Sequence, residues 1–64
     1  MTVKEVINRL KNAGFTVTEE NCSIVCRKGD STLYINENVE SLHASSQLIS
    51  AARGVVETEG GTWR

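Results

Sequence analysis

Residues 21–35 read NCSIVCRKGDSTLYI, with apolar and polar side chains alternating on both sides of a Lys28-Gly29-Asp30 turn. Alternation at period 2 sends one apolar row of each strand to the same face of a sheet, and Gly29 supplies the backbone freedom of a tight turn. The stretch therefore predicts a β-hairpin. Its predicted inner row is Cys22, Ile24, Cys26, Leu33 and Ile35.

The turn also predicts the register of this hairpin. A type II′ turn at Gly29-Asp30 places Cys26 opposite Leu33 and Ile24 opposite Ile35. On the other face of the sheet, Val25 then pairs with Tyr34.

A helix is predicted before the hairpin, over Thr2 to Ala13. Thr2 and Glu5 have the spacing of a capping box, in which each side chain accepts from the other residue's backbone amide, and Gly14 suits the left-handed position that ends a helix. Apolar residues recur along one face at spacings of three and four: Val3, Val6, Ile7, Leu10 and Ala13.

The next segment, Phe15 to Glu19, changes to period 2 and predicts a first strand. Glu20-Asn21 is the predicted reversal into the hairpin, so the three strands form an antiparallel meander.

A second helix is predicted after Asn36-Glu37-Asn38, with Gly54 as its stop. A break near Ser45 with a restart is an alternative, because several serines lower helix propensity there. Val55-Val56 either packs back or adds an edge strand. The predicted inner stripe is Val39, Leu42, Ser45, Leu48, Ile49 and Ala52.

The predicted fold class is therefore α+β, an α-β-β-β-α two-layer sandwich with two helices on one face of a three-stranded antiparallel sheet. Residues 1–56 form the single predicted domain, and residues 57–64, with Gly60-Gly61, form a flexible C-terminal tail. A chain of 64 residues hides only about 60% of its unfolded surface, so its core must be compact.

Charge and cysteine content narrow the function classes. Seven Lys and Arg face eight Asp and Glu, and a net charge of -1 attracts neither a polyanion nor an anionic membrane. Cys22 and Cys26 lie roughly 13 Å apart along one predicted strand, too far for a disulfide, and are interpreted as core residues. No apolar run approaches a membrane span and the start lacks a signal-peptide pattern, so we expect a cytoplasmic protein.

No catalytic or metal-binding set emerges, and no cofactor is expected. His43 is the only histidine, which leaves Cys22, Cys26 and His43 as too few metal ligands, and Gly29 alone makes no phosphate-binding loop. His43 is interpreted as a surface side chain rather than a general base.

The outer face of the sheet offers a candidate partner-binding surface. Val25 and Tyr34 are expected to form a small exposed apolar spot, with Thr32 and Arg27 beside it. An aromatic side chain there anchors a protein partner or stacks on a base. The alternative is cross-strand packing that only stiffens the sheet.

A second candidate surface is basic. Lys4 and Lys11 share a stripe of the first helix, and Arg27 and Lys28 occupy the hairpin turn. Together these four residues are the candidate contacts to nucleic acid, with a solvated basic edge as the alternative interpretation.

The order of elements, with the segments Val3 to Leu10, Ala13-Gly14-Phe15 and Ile24 to Ile35, resembles the small HicA-type toxins, whose fold is similar to double-stranded RNA-binding domains. In that family a histidine after a Gly-Ser pair, at the start of the second strand, is associated with RNA cleavage. The matching segment here, Asn21-Cys22-Ser23-Ile24, contains no histidine. Double-stranded RNA-binding domains also carry lysines at the start of their second helix. These lysines have no match here, because Glu37 and Glu40 occupy that part of the sequence. The resemblance thus implies the fold and not the activity.

These observations favour a small non-catalytic interaction or regulatory protein. We expect it to bind a protein partner, or a second copy of itself, through the outer sheet face or a strand edge; a phage-type accessory protein fits this size. An RNA- or DNA-binding protein is the alternative, and a HicA-like ribonuclease, dependent on His43, is the second.

Overall fold

The structure, a computed structural model, describes all residues from 1 to 64. It confirms the α-β-β-β-α order: the elements are α1 (Val3–Asn12), β1 (Thr16–Glu20), β2 (Ser23–Lys28), β3 (Ser31–Ile35) and α2 (Ser46–Thr58). The strands form one antiparallel sheet in the order β1-β2-β3. Its inner face packs against both helices, and its outer face is not covered by either.

The core lies between this inner face and the helices. It is entirely apolar, and no buried side-chain polar atom lacks a partner. The sheet and Phe15 contribute four of its eleven residues and the helices contribute seven: Val3, Val6, Ile7, Leu10, Phe15, Ile24, Cys26, Ile35, Leu48, Ala52 and Val56.

The predicted hairpin register is confirmed. Cys26 pairs with Leu33, Ile24 with Ile35, and Val25 with Tyr34. Gly29 has a φ of 57° and Asp30 does not share a positive φ, which fits a type II′ turn.

The turn between β1 and β2 differs from the prediction. It consists of Asn21 and Cys22, both with positive φ (47° and 67°), as in a type I′ turn. Cys22 was predicted on the inner row of β2; it is exposed in the turn instead. The prediction failed because alternation alone does not locate a strand's first residue.

Helix α1 begins and ends as its sequence indicates. The Thr2 hydroxyl accepts from the Glu5 amide at 3.1 Å, as predicted. The reciprocal half of the capping box is wrong, because the Glu5 carboxylate accepts from the Thr2 hydroxyl at 3.4 Å and not from the Thr2 amide. At the other end the amides of Gly14 and Phe15 donate to the carbonyls of Lys11 and Leu10, both at 3.0 Å. This pair of bonds is a Schellman motif, with Gly14 at φ 96°.

Helix α2 lies later in the chain than predicted. It starts after Ser45, the restart that the serines indicated, and it runs through Gly54. Residues 36–45 form an irregular segment in which Leu42 is 75% exposed, so Leu42 and Val39 do not belong to a helical stripe. The buried face of α2 is Leu48, Ala52 and Val56.

The predicted boundary at residue 56 falls inside α2, and Val55-Val56 is helical rather than an edge strand. The helix ends in a second Schellman motif, where Gly60 and Gly61 donate to the carbonyls of Glu57 and Val56. Beyond it, Trp63 packs against the core, and the Arg9 guanidinium lies 5.4 Å from the centre of its ring.

Candidate functional site

The predicted apolar spot on the outer sheet face is reduced to one side chain. Tyr34 is 61% exposed, but Val25 is only 2% exposed, although it lies outside the cluster of eleven residues between the sheet and the helices. Val25 lies at the centre of the middle strand, between its cross-strand partners Thr18 and Tyr34, and these neighbours shield it. The expectation of an exposed Val25 is therefore wrong; its burial stiffens the sheet.

Arg27 and Thr32 are cross-strand partners on the same face, and both are exposed. The Arg27 guanidinium donates to the Glu20 carboxylate at 3.1 Å. Because both side chains of this pair are about half exposed, it holds Arg27 in place while adding little stability. The outer face thus presents Tyr34, threonine hydroxyls and a neutralised charge pair.

The four candidate nucleic-acid residues do not form one basic surface. Arg27 faces outward, whereas Lys28 points inward and its ammonium donates to the carbonyl of Ala13 at 2.7 Å, at the end of α1. Lys4 lies 3.8 Å from the carboxylate of Glu40. Only Lys11 of the four has neither an ion pair nor a hydrogen bond.

A groove that sequence reasoning missed runs between α1 and the edge strand β1. Its volume is about 360 Å³, and Ile7, Val17, Ile24 and Val39 give it an apolar floor. The polar side chains along it come from one stripe of α1 and from β1: Lys4, Asn8, Lys11, Thr18 and Glu19. The stripe was visible in the sequence, but which strand would lie beside it was not.

The backbone of β1 is unpaired along this groove. Glu20 and Ser23 flank the two-residue turn, so the alternate residues Thr16, Thr18 and Glu20 bond to β2. The N–H and C=O groups of Val17 and Glu19 point away from the sheet, and no backbone hydrogen bond outside the regular elements reaches them. This edge can accept another strand.

A larger hollow of about 590 Å³ lies at the tip of the β1–β2 hairpin and beside the segment after β3. Cys22 and the carboxylates of Glu19, Glu20 and Glu37 line it. Glu37 accepts from both the amide and the hydroxyl of Ser45, and these bonds lower the pKa of the Glu37 carboxyl. Its hydrogen bonds thus give Glu37 a structural role at the start of α2.

No cluster of three or more His, Cys, Asp or Glu side chains has the arrangement to hold a metal ion. His43 is exposed in the irregular segment 36–45 and makes no hydrogen bond or ion pair. Burial raises the pKa of the Cys26 thiol, opposed in part by the charge of Lys11, so Cys26 remains a protonated core side chain.

Comparison of the chain with protein families, with curated proteins and with solved structures finds no match. Neither helix is long and apolar enough to cross a membrane.

Proposed function

We propose that this chain is a non-catalytic interaction protein that binds a protein partner through its sheet, by an open strand edge or by the outer face at Tyr34. The observation that carries the proposal is the sheet itself. Three strands are covered by helices on one side only, and β1 and β3 have no backbone partner at their outer edges. Edges of this kind pair with other chains unless they are blocked.

Tyr34 supports the same proposal. Its side chain stands 61% exposed over the buried Val25, so it offers a rigid aromatic contact without opening the core. Tyrosine is enriched among the residues that dominate binding energy at protein interfaces. The two free cysteines fit a reducing compartment, and we propose a cytoplasmic location on that ground.

Site-specific photo-crosslinking in the native cell tests the proposal. A crosslinking residue replaces Tyr34 on the outer face or Glu19 beside the β1 edge, and the control replaces Ala51, which is exposed on α2. We expect a discrete crosslinked protein, or a crosslinked dimer, from at least one sheet position and none from Ala51. Equal products from all three positions, or none from either sheet position, would contradict it.

A further inference from the structure

We infer that the groove between α1 and β1 binds an extended peptide segment of another protein, which adds a fourth strand to the sheet beside β1. The inference rests on the proposed function and names the edge that is used and the chemistry of the partner. That partner segment alternates apolar and polar residues and carries Asp or Glu toward its C-terminal end.

The backbone of β1 fixes how the segment pairs. Val17 and Glu19 each hold one free N–H donor and one free C=O acceptor at the open edge, four groups in line with an incoming strand. Because the sheet is antiparallel throughout, the added strand continues the pattern by running antiparallel to β1.

The groove floor fixes the spacing of the apolar residues. Its four apolar residues are Ile7, Val17, Ile24 and Val39, beside the stretch of α1 from Lys4 to Lys11. Seven residues of α1 separate Lys4 from Lys11, roughly 10 Å of helix, which matches about three extended residues. Two side chains at positions i and i+2 of the segment therefore point into the groove.

The charges fix the polarity of the segment. A short turn joins α1 to β1, so the two run in opposite directions and Lys11 lies beside the start of β1. Lys11 has no ion-pair partner, whereas Lys4 at the other end is 3.8 Å from Glu40, with Glu19 nearby on the same groove. An antiparallel segment ends beside Lys11, where acidic residues complement the charge.

The other open edge lacks these features. At β3 the outward backbone groups belong to Thr32 and Tyr34, and no groove flanks that strand. The backbone of either edge offers hydrogen bonds, but only β1 adds apolar contact and a free cation.

Selection from a displayed library of random ten-residue peptides on the intact chain tests the inference. We expect enriched peptides with apolar residues at i and i+2 followed by Asp or Glu, with NMR amide shift changes along β1 and the exposed side of α1. No enrichment, or shift changes centred on Tyr34, would overturn it.

Two variants test the assignment to β1 further. Their affinity for an enriched peptide is measured by fluorescence anisotropy. Val17→Pro removes an outward N–H, and we expect at least about a tenfold loss of affinity; Thr32→Pro, the matched change on the other edge, leaves affinity unchanged. Equal loss in both variants would overturn the assignment to β1.

Lys11→Glu keeps the test valid if Val17→Pro does not fold. We expect about a fivefold loss for the acidic peptide and recovery for a peptide with Lys at the acidic position, whereas Arg53→Glu, with the same charge change on α2, has no effect. The inference would be overturned if Lys11→Glu caused no loss of peptide affinity. It would also be overturned if the chain formed a dimer that Val17→Pro abolished, because β1 would then bind a second copy of the chain. Crosslinks from Tyr34 alone would overturn it while the proposed function stands.

Discussion

The two helices end in the same way and begin differently. Each ends in a Schellman motif, at Gly14 in α1 and at Gly60 in α2. At the start of each helix a hydroxyl, of Thr2 in α1 and of Ser45 in α2, accepts from the amide three residues later, but Ser45 also donates to Glu37, eight residues earlier. The difference shows that the start of α1 depends on local contacts alone, whereas the start of α2 depends in addition on the segment that precedes it.

The largest effect is expected from the core positions of the two helices. Leu10→Ala in α1 should lower the free energy of unfolding by about 2–5 kcal/mol, and Val56→Ala in α2 by about 2 kcal/mol, because both side chains are fully buried. Urea unfolding measures both, with the exposed Leu42→Ala as a control near zero. If Val56→Ala matched that control, the last turn of α2 would not be part of the folded unit.

Substitution by alanine should change the stability in opposite directions at Gly54, inside α2, and at Gly60, just beyond its end. Gly60 has a φ of 79°, so Gly60→Ala should destabilise the protein by about 1–2 kcal/mol. Gly54 lies inside the helix with nothing within 4 Å of an added Cβ, so Gly54→Ala should stabilise it by about 0.5–1 kcal/mol. Thermal unfolding of the pair decides this, and a loss of stability in Gly54→Ala would show that the helix is interrupted there.

Removing the two N-cap hydroxyls should have similar effects on stability but different effects on the neighbouring chain. Thr2→Ala and Ser45→Ala should each cost about 1 kcal/mol, since each removes the hydroxyl that accepts from an amide three residues later. Ser45→Ala should in addition release the segment around Glu37, seen as faster amide hydrogen exchange at residues 37–45. Exchange that stays at the wild-type rate in that segment would argue that Glu37 and Ser45 fold independently.

The smallest effect concerns pH. The Ser45 hydrogen bonds lower the pKa of Glu37 in the folded state, so its contribution is present above the unfolded pKa of about 4.3 and is lost as pH falls through the lower folded value. Glu37→Gln should therefore flatten the decline in stability below about pH 5, measured by urea midpoints across this range. A decline as steep as that of the wild type would assign the acid sensitivity to other carboxylates.

Much of the fold was predictable because its signals are short-range. The register of β2 and β3 followed from alternation and one two-residue turn, and α1 followed from its stripe and two adjacent caps. For α2 the sequence predicted Gly54 as the stop, and that prediction is wrong, because the helix runs on to Thr58. The packing of Val56 against the core, a contact distant in sequence, extends the helix past Gly54, and the sequence pattern alone does not contain this contact.

The candidate site was harder to predict for the same reason. Tyr34 was correctly expected to be exposed, because its place follows from the register. Val25 was placed on the correct face, but its burial depends on cross-strand neighbours on both sides. The groove beside β1 depends on which strand lies next to the Lys4–Lys11 stripe, and Val39 joins its floor from a segment that the sequence predicted as helix.

The two thiols can report how often the core between the sheet and the helices opens. Cys22 lies in an exposed turn, where an alkylating reagent reaches it in the folded protein, whereas Cys26 is fully shielded in the middle strand. Once Cys22 is blocked or replaced by serine, each further alkylation event marks one excursion in which the sheet separates from its helices. At reagent concentrations where alkylation is faster than reclosing, the rate of that second reaction, followed by mass, gives the lifetime of the closed molecule without any denaturant.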